Sequence, residues 1–495
     1  MLALSSLHSP RGIGDFGESA LEWLRFLRDA GQKYWQILPL GPTGWGDSPY
    51  QSFSAFAISP YYISLDDLIR RKLLWERVAS YKIWGSSAAL TDYYTLYRRR
   101  WRYLRLASFS FTVSASDESR KDFERFREEN SFWLEDFALF TAIKKKLRGK
   151  AWTEWDEDLR RREPAAMKAA RDKLSEETLN HSIIQYFAFE QWRGLREAAR
   201  ALGVAIIGDM PMYVAADSAD AWACGRLFQL DEDQRPLRVA GCPPDPFSAK
   251  GQLWGNPLYR WDRMEEEGFA WWIARLRAAF GLYDALRIDH FRGFESYFSI
   301  DPKARDASGG EWVKGPGLAF IRAIHAALPG ANIIAEDLGY LTPEVKALLR
   351  ASGYPGMKVL QFAFDSREPG EYAPHTYERN SVVYTGTHDN PTARGWFACA
   401  SGEDAAFARD FLGARGAVGG GQAMIRCALA SAPNTAIIPM QDYLGLNNRA
   451  RMNRPSTVGG SNWRWRMTEP QFKRAIEGGL AERMRRLAEV YGRSE

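Results

Sequence analysis

Ala285-Leu286-Arg287-Ile288-Asp289-His290 is a short, mostly apolar run closed by an acid, and two later segments repeat its plan. They are Ile333-Ile334-Ala335-Glu336-Asp337 and Val382-Val383-Tyr384-Thr385-Gly386-Thr387-His388-Asp389. A parallel barrel carries its reactive groups at the carboxyl ends of its strands, where all the loops open onto one face. Three acids that each end an apolar run predict such a face.

Working outward, strand-like runs at 34–40, 204–210, 285–289, 332–336, 357–362, 382–387 and 435–440 alternate with helical periodicity at 18–30, 183–202, 264–280, 318–328 and 342–352. The helix at 342–352 carries its own punctuation: Thr342 as N-cap, Pro343 in the first helical position and Gly353 just past the end. Repeated strand–helix alternation predicts an α/β chain with a parallel sheet. Seven strands are legible, and the run at 57–65 is the candidate eighth of a TIM (β/α)8 barrel. Residues 74–180 break the pattern with a charged, Trp-rich, mainly helical insertion that includes Lys144-Lys145-Lys146 and carries no catalytic motif. We therefore expect one catalytic domain over 1–495 with a helical subdomain inserted at 74–180.

Composition narrows the partners. The 66 basic and 61 acidic residues leave a net charge of +5, too mild without a basic stripe to argue for nucleic acid. The four cysteines lie far apart, with no metal-ligand spacing, which predicts free thiols, no structural metal and a reducing, cytoplasmic setting. The first ten residues lack the basic and apolar regions of a secretory signal, and no apolar run reaches membrane-spanning length. No GxGxxG or Walker sequence follows any strand, which disfavours nucleotide chemistry. Aromatics make up 14% of the chain, and several lie in Gly/Pro-rich loops, where their faces suit sugar rings.

Chemistry at an acetal needs one carboxylate to attack or stabilise the anomeric carbon and one protonated carboxyl to release the leaving oxygen. Asp289 and Glu336 are the natural pair. On adjacent strands their carboxyl groups would fall near the ~5–5.5 Å separation of retaining enzymes. Arg287, two residues before Asp289, points to the same side of the strand, where a fixed cation would hold Asp289 ionised. His290 and His388 are candidate donors to sugar hydroxyls, and Asp389 a clamp that opposes developing positive charge. Singly, a carboxylate at a strand end is more often a helix cap or half an ion pair. Three in successive motifs weigh against that reading.

The chain resembles the amylomaltase family of 4-α-glucanotransferases (glycoside hydrolase family 77), relatives of the α-amylase superfamily that lack its C-terminal β-sandwich domain. The resemblance runs from Ser9-Pro10-Arg11-Gly12-Ile13-Gly14-Asp15 to Asn462-Trp463-Arg464-Trp465-Arg466. Between them it rests on Gly44-Trp45-Gly46-Asp47-Ser48-Pro49-Tyr50-Gln51-Ser52, Gly208-Asp209-Met210-Pro211 and Pro243-Pro244-Asp245. It continues through Gly251-Gln252-Leu253-Trp254-Gly255-Asn256-Pro257 and Pro355-Gly356-Met357-Lys358-Val359-Leu360-Gln361-Phe362.

The resemblance implies that Asp289 is the nucleophile, Glu336 the general acid/base and Asp389 the transition-state stabiliser. It also implies sugar contacts from Tyr50, Asp209, Asp245, Gln252, Trp254, Arg287, His290, Phe362, His388 and Asn462, and a mobile loop over the cleft at 241–260. The implied partners are α-1,4-glucans such as maltodextrin, starch or glycogen, with glucose or maltose as acceptors. No cofactor, metal, membrane or nucleic acid enters, and the chain is expected as a monomer or weak homodimer. Ser456 departs from the family's usual Gly, Trp45 from its frequent Tyr, and Pro391 from a frequent acid. Two other functions use the same features: a plain α-glucan hydrolase with a wetter acceptor side, and a non-catalytic glucan binder, which should have lost one of the acids.

Overall fold

The computed structural model describes residues 1–44, 46–78, 84–244, 248–367 and 372–494. In chain order its strands are β1 (Tyr34–Gln36), β2 (Ala205–Met210), β3 (Val239–Cys242), β4 (Gln252–Pro257), β5 (Ala285–Ile288), β6 (Ser296–Ile300), β7 (Glu311–Lys314), β8 (Ile333–Ala335), β9 (Gly356–Val359), β10 (Ser381–Tyr384) and β11 (Thr435–Ile437). Two parallel ladders, β1-β2-β5-β8 and β9-β10-β11, contain all seven strands expected from the apolar runs.

Backbone hydrogen bonds bridge the ladders at both meeting edges. On one side the Ala335 N–H donates to the Pro355 carbonyl at 2.9 Å. On the other, the Met1 amino group donates to the Ile438 carbonyl at 2.7 Å, the Met440 N–H to the Met1 carbonyl at 2.9 Å, and the Leu2 N–H to the Gln36 carbonyl at 3.0 Å. The eighth position thus belongs to Met1 and Leu2. The candidate at 57–65 instead forms a 3-10 turn, Pro60–Tyr62, and leads into the helix Leu65–Arg70, whose cap is the Ser64 hydroxyl accepting from the Asp67 N–H. Its apolar residues are buried as predicted; a Pro in mid-run removes the donor that a ladder needs.

The strands are shorter than the apolar runs because the chain bends out of the ladder while its side chains stay buried. After β9, for example, Leu360–Phe364 is a 3-10 turn. A compact cluster of Ile207, Ala285, Ile334, Met357, Val359, Val382, Tyr384 and Ile437 draws on six parallel strands and fills the space they enclose. Each large aliphatic member contributes about 1.5–3 kcal/mol by leaving water. In β2, Gly208 is required by close approach: a Cβ there would lie 2.2 Å from the Tyr283 ring.

Helices cover the parallel strands as the periodicity predicts, including Glu18–Asp29, Gly317–Ala327 and Pro343–Ser352, the last capped by Thr342 Oγ1 accepting from the Val345 N–H. The single helix expected at 264–280 is two, Trp261–Glu266 and Ala270–Leu282, because Gly268 and Phe269 both take left-handed backbone angles. Between residues 74 and 180 lie Tyr93–Ser114, Asp117–Glu129, Ser131–Lys146 and Pro164–Lys173. Arg100, fully buried, pins the first of these to the barrel by donating to Asp15 Oδ2 (3.2 Å) and to the carbonyls of Ile63 (2.6 Å) and Arg11 (3.1 Å).

Strands β4-β3-β6-β7 form a separate antiparallel arm above the carboxyl ends of the parallel strands. Part of the segment expected as a loop, 241–260, is therefore strand: β4 pairs with β3 across a bulge between Val239 and Gly241. The far end of the chain is stitched to its beginning: the Ser6 hydroxyl donates to the Trp465 carbonyl (2.7 Å), and the Met467 N–H to the Ser6 carbonyl (2.8 Å). It is also tied to the insertion, through an antiparallel bridge between Leu90 and Trp465. Among the described residues no helix is long and apolar enough to cross a membrane.

Candidate active site

Register fixes the two central acids. Ile288 of β5 lies opposite Ala335 of β8, so Asp289 and Glu336 each leave the ladder one residue later, side by side. The Asp289 N–H donates back to the Met210 carbonyl (2.9 Å) and the Glu336 N–H to the Ile288 carbonyl (3.0 Å), which holds both at the strand ends.

Their environments differ. Arg287, with 5% of its side chain exposed, donates to Asp289 Oδ1 at 2.9 Å and to Asp209 Oδ1 at 2.7 Å. Asp209 faces Arg287 because the two are register partners in β2 and β5. Burial raises the Asp289 carboxyl and the Arg287 guanidinium opposes it; 31% of that side chain is open to the cleft, so solvent offsets part of the burial. Among the described residues no cation contacts Glu336. It accepts the His290 N–H on Oε2 (2.7 Å) and the Leu338 N–H on Oε1 (2.8 Å). Burial first, and the Asp289 charge second, push it up to about 7. When the pair retains one proton, the local charges place it on Glu336. An ionised acid beside a protonated one is the division of labour that acetal chemistry requires.

Asp389 sits across the site, its side chain 43% exposed, with His388 Nε2 at 3.4 Å. The sequence reading missed the residues that hold it. Asn453 Nδ2 donates to Asp389 Oδ1 at 2.7 Å, the Asn453 N–H donates to the His388 carbonyl at 3.0 Å, and Arg451 reaches the Asp389 carbonyl at 2.5 Å. Residues 451–453 have no helical or strand period; an Asn inside an irregular, arginine-flanked stretch was the only cue.

Tyr50 joins the two halves. Its hydroxyl donates to Asp209 Oδ2 at 2.7 Å, and its ring stacks on His388 with centroids 5.0 Å apart and planes 19° from parallel. Trp463 packs against both rings at 5.6 Å. With Arg287 on one oxygen and Tyr50 on the other, the buried Asp209 is a brace between them rather than an open sugar acceptor. Trp254, on β4, sets its ring edge-on to His290 at 4.8 Å, and its Nε1 donates to Gln252 Oε1 at 3.2 Å. His290 takes a left-handed backbone, φ 54°; its Nε2 is buried without a protein partner among the described residues, and burial pulls the imidazole down to about 3. A neutral ring with an unused nitrogen is suited to a substrate hydroxyl. Phe362 lies in the turn after β9, packed at the edge of the barrel cluster.

The remaining expected residues fall elsewhere. Asn462 is 5% exposed and its amide serves its own loop, accepting from the Arg454 N–H (3.1 Å) and donating to Thr457 Oγ1 (2.9 Å) and the Thr457 carbonyl (3.1 Å). It shapes the segment that carries Asn453 and Trp463. Asp245 and Trp45 lie outside the described residues. Asp337, beside Glu336, is a structural group: its Oδ1 accepts the Met357 N–H at 2.6 Å.

A family model for 4-alpha-glucanotransferases matches residues 2–471. The chain is 44% identical over 494 residues to the 4-alpha-glucanotransferase of Clostridium butyricum, covering 99% of this chain and 100% of that protein. It is 46% identical over 474 residues to that of Thermus thermophilus, covering 94% of each. Its fold matches the amylomaltase of Streptococcus agalactiae, solved in complex with acarbose, with a TM-score of 0.95 and 38% identity, covering 100% of this chain and 99% of that one. A likeness this complete, around two acids on adjacent strand ends, means that the chain belongs to the 4-alpha-glucanotransferase family.

Proposed function

We propose that the protein moves a segment of an α-1,4-glucan from a donor chain to the 4-hydroxyl of an acceptor glucan, glucose or maltose, by double displacement with retention. Glu336 gives its proton to the glycosidic oxygen while Asp289 attacks the anomeric carbon, forming a glucosyl ester and releasing a fragment whose freed 4-hydroxyl is a new non-reducing end. The acceptor 4-hydroxyl then attacks that carbon, loses its proton to Glu336 and frees Asp289. Asp389, steered by Asn453, opposes the positive charge on the ring in both transition states, and Arg287 keeps Asp289 ionised. On a long donor, its own far end can serve as acceptor, which gives a ring.

The observation that carries this reading is the asymmetry of the pair: among the described residues a cation contacts Asp289 alone, and burial pushes Glu336 up to about 7. Transfer in place of hydrolysis follows when an acceptor is held at high effective molarity beside the intermediate. The arm with Trp254, and the stacked Tyr50, His388 and Trp463 rings, provide the walls that hold it. Four free thiols suit a reducing compartment such as the cytoplasm, and we expect a monomer or weak homodimer. Maltotriose as sole substrate tests the reading, with products resolved by length and Glu336→Gln as control. Longer maltodextrins plus glucose, absent in the control, are expected. Glucose and maltose alone would make the protein a hydrolase.

A further inference from the structure

Arg292 is buried, 5% exposed, yet no carboxylate lies within ion-pair distance of it among the described residues. A guanidinium taken from water without a counter-ion is costly, and a position that keeps one uses its geometry. Its contacts run in three directions. The plane lies over the Trp312 ring at 3.8 Å, Nη1 donates to the Tyr340 carbonyl at 2.5 Å, and Nη2 reaches Ser296 Oγ at 3.3 Å.

Each end of that contact leads back to the acid/base. Arg292 sits in the 3-10 turn Phe291–Phe294, and the residue before that turn is His290, whose N–H donates to Glu336 Oε2. Tyr340 is two residues past Leu338, whose N–H donates to Glu336 Oε1. Leu338 packs against the barrel cluster, but beyond it Gly339 takes φ 88° and Tyr340 is 79% exposed, so the Tyr340 side chain does little to secure that stretch. Trp312, which backs the guanidinium, belongs to β7 of the antiparallel arm, opposite Phe298.

The geometry points to Arg292 as a positioning residue that clamps together the two backbone segments whose N–H groups hold the Glu336 carboxylate, with the arm's Trp312 as its backstop. The inference rests on Glu336 being the acid/base. It adds that the aim and acidity of Glu336 are set by a residue that does not touch it. Because both N–H bonds stabilise the carboxylate form, loosening the clamp raises the pKa of Glu336 and misdirects its proton.

The test compares the wild type with Arg292→Lys, which keeps the charge but loses the planar fork, and with Trp312→Leu, which removes the backstop from a partly exposed edge strand. Each receives maltotriose, whose leaving group needs a proton, and α-maltosyl fluoride, whose leaving group scarcely does. Turnover on maltotriose is expected to fall roughly tenfold or more in Arg292→Lys, with loss on the fluoride under about threefold, as for a defect in acid catalysis. The alkaline limb of kcat/KM should move up by about half a pH unit. Trp312→Leu should shift both readings the same way by less, and it decides the matter if Arg292→Lys does not fold. Equal losses on both donors with an unmoved alkaline limb would mean a merely structural residue and overturn the inference. Were the functional reading itself wrong, the wild type would already fail to extend maltotriose.

Discussion

Glu336→Gln is expected to act in two opposed ways, ending transfer while gaining stability relative to the wild type as pH rises through neutrality. In the folded state burial and the Asp289 charge move this carboxyl from 4.5 to about 7. Between those values the folded protein holds a proton that the unfolded chain has released. Stability therefore falls as pH rises through that window and stays lower above it. At ~1.4 kcal/mol per pH unit the shift corresponds to roughly 3 kcal/mol. Glu336 is partly open to the cleft, and solvent screening trims the figure to about 1–2 kcal/mol. Glutamine keeps the shape and cannot ionise, so it escapes that loss; because its NH2 cannot accept one of the two backbone N–H bonds it carries a fixed cost at every pH, and the gain is counted from about pH 5 to about pH 8. At ~2.1 cal/mol/K per residue, unfolding 495 residues carries an entropy of about 1 kcal/mol/K, so the gain is about 1–2 °C in Tm. Calorimetry of both proteins at about pH 5 and pH 8 reads the difference: the variant should gain on the wild type from the lower pH to the higher. A variant that gains nothing on the wild type between the two pH values would refute the claim that its surroundings raise the Glu336 carboxyl.

Asn453→Ala removes the 2.7 Å donor to Asp389 Oδ1; a hydrogen bond to a charged group is worth ~1.5–3 kcal/mol, so kcat on maltotriose should drop roughly 10- to 100-fold with little change in KM. Tyr50→Phe leaves Asp209 Oδ2 without its 2.7 Å donor in a buried setting; steady-state rates should fall by about tenfold or more while circular dichroism stays native. Ser456 holds φ 62°, a left-handed backbone that Gly adopts freely; Ser456→Gly should raise the denaturation midpoint by the equivalent of about 1 kcal/mol. Gly208→Ala forces a methyl to 2.2 Å from the Tyr283 ring, and a loss of about 1–3 kcal/mol in urea unfolding is expected.

The parallel strands were legible because burial on both faces writes a near-continuous apolar run, and an acid ending such a run is conspicuous. Their ends were not, since Leu360 and Gln361 stay buried after the ladder stops. The arm was hidden for a different reason. β3 spans four residues beside a bulge, and its partners β4 and β6 are set by contacts that no local period records. In the site, the charge-bearing residues announced themselves by type: Arg287 does hold Asp289, at 2.9 Å. What eluded the sequence was the work of ordinary groups: the backbone N–H of Leu338, the Asn453 amide, and the brace that makes Asp209 a partner of Tyr50 and Arg287. The usual Gly where this chain has Ser456 is explained only by a backbone angle, which composition does not reveal.

The late stitches of this fold bear on how the protein is made. A chain leaving the ribosome has all three acids by residue 389, but the amide that steers Asp389 arrives 64 residues later, and the Ser6–Trp465 bond closes a span of 459. Contacts so distant in sequence slow folding, and they also order events: the cleft cannot mature before residues 453 and 465 have been made. A nascent or prematurely ended polypeptide therefore has Asp289 and Glu336 without the support of the opposite wall, and full turnover is expected only once residues 451–467 have closed on the rest.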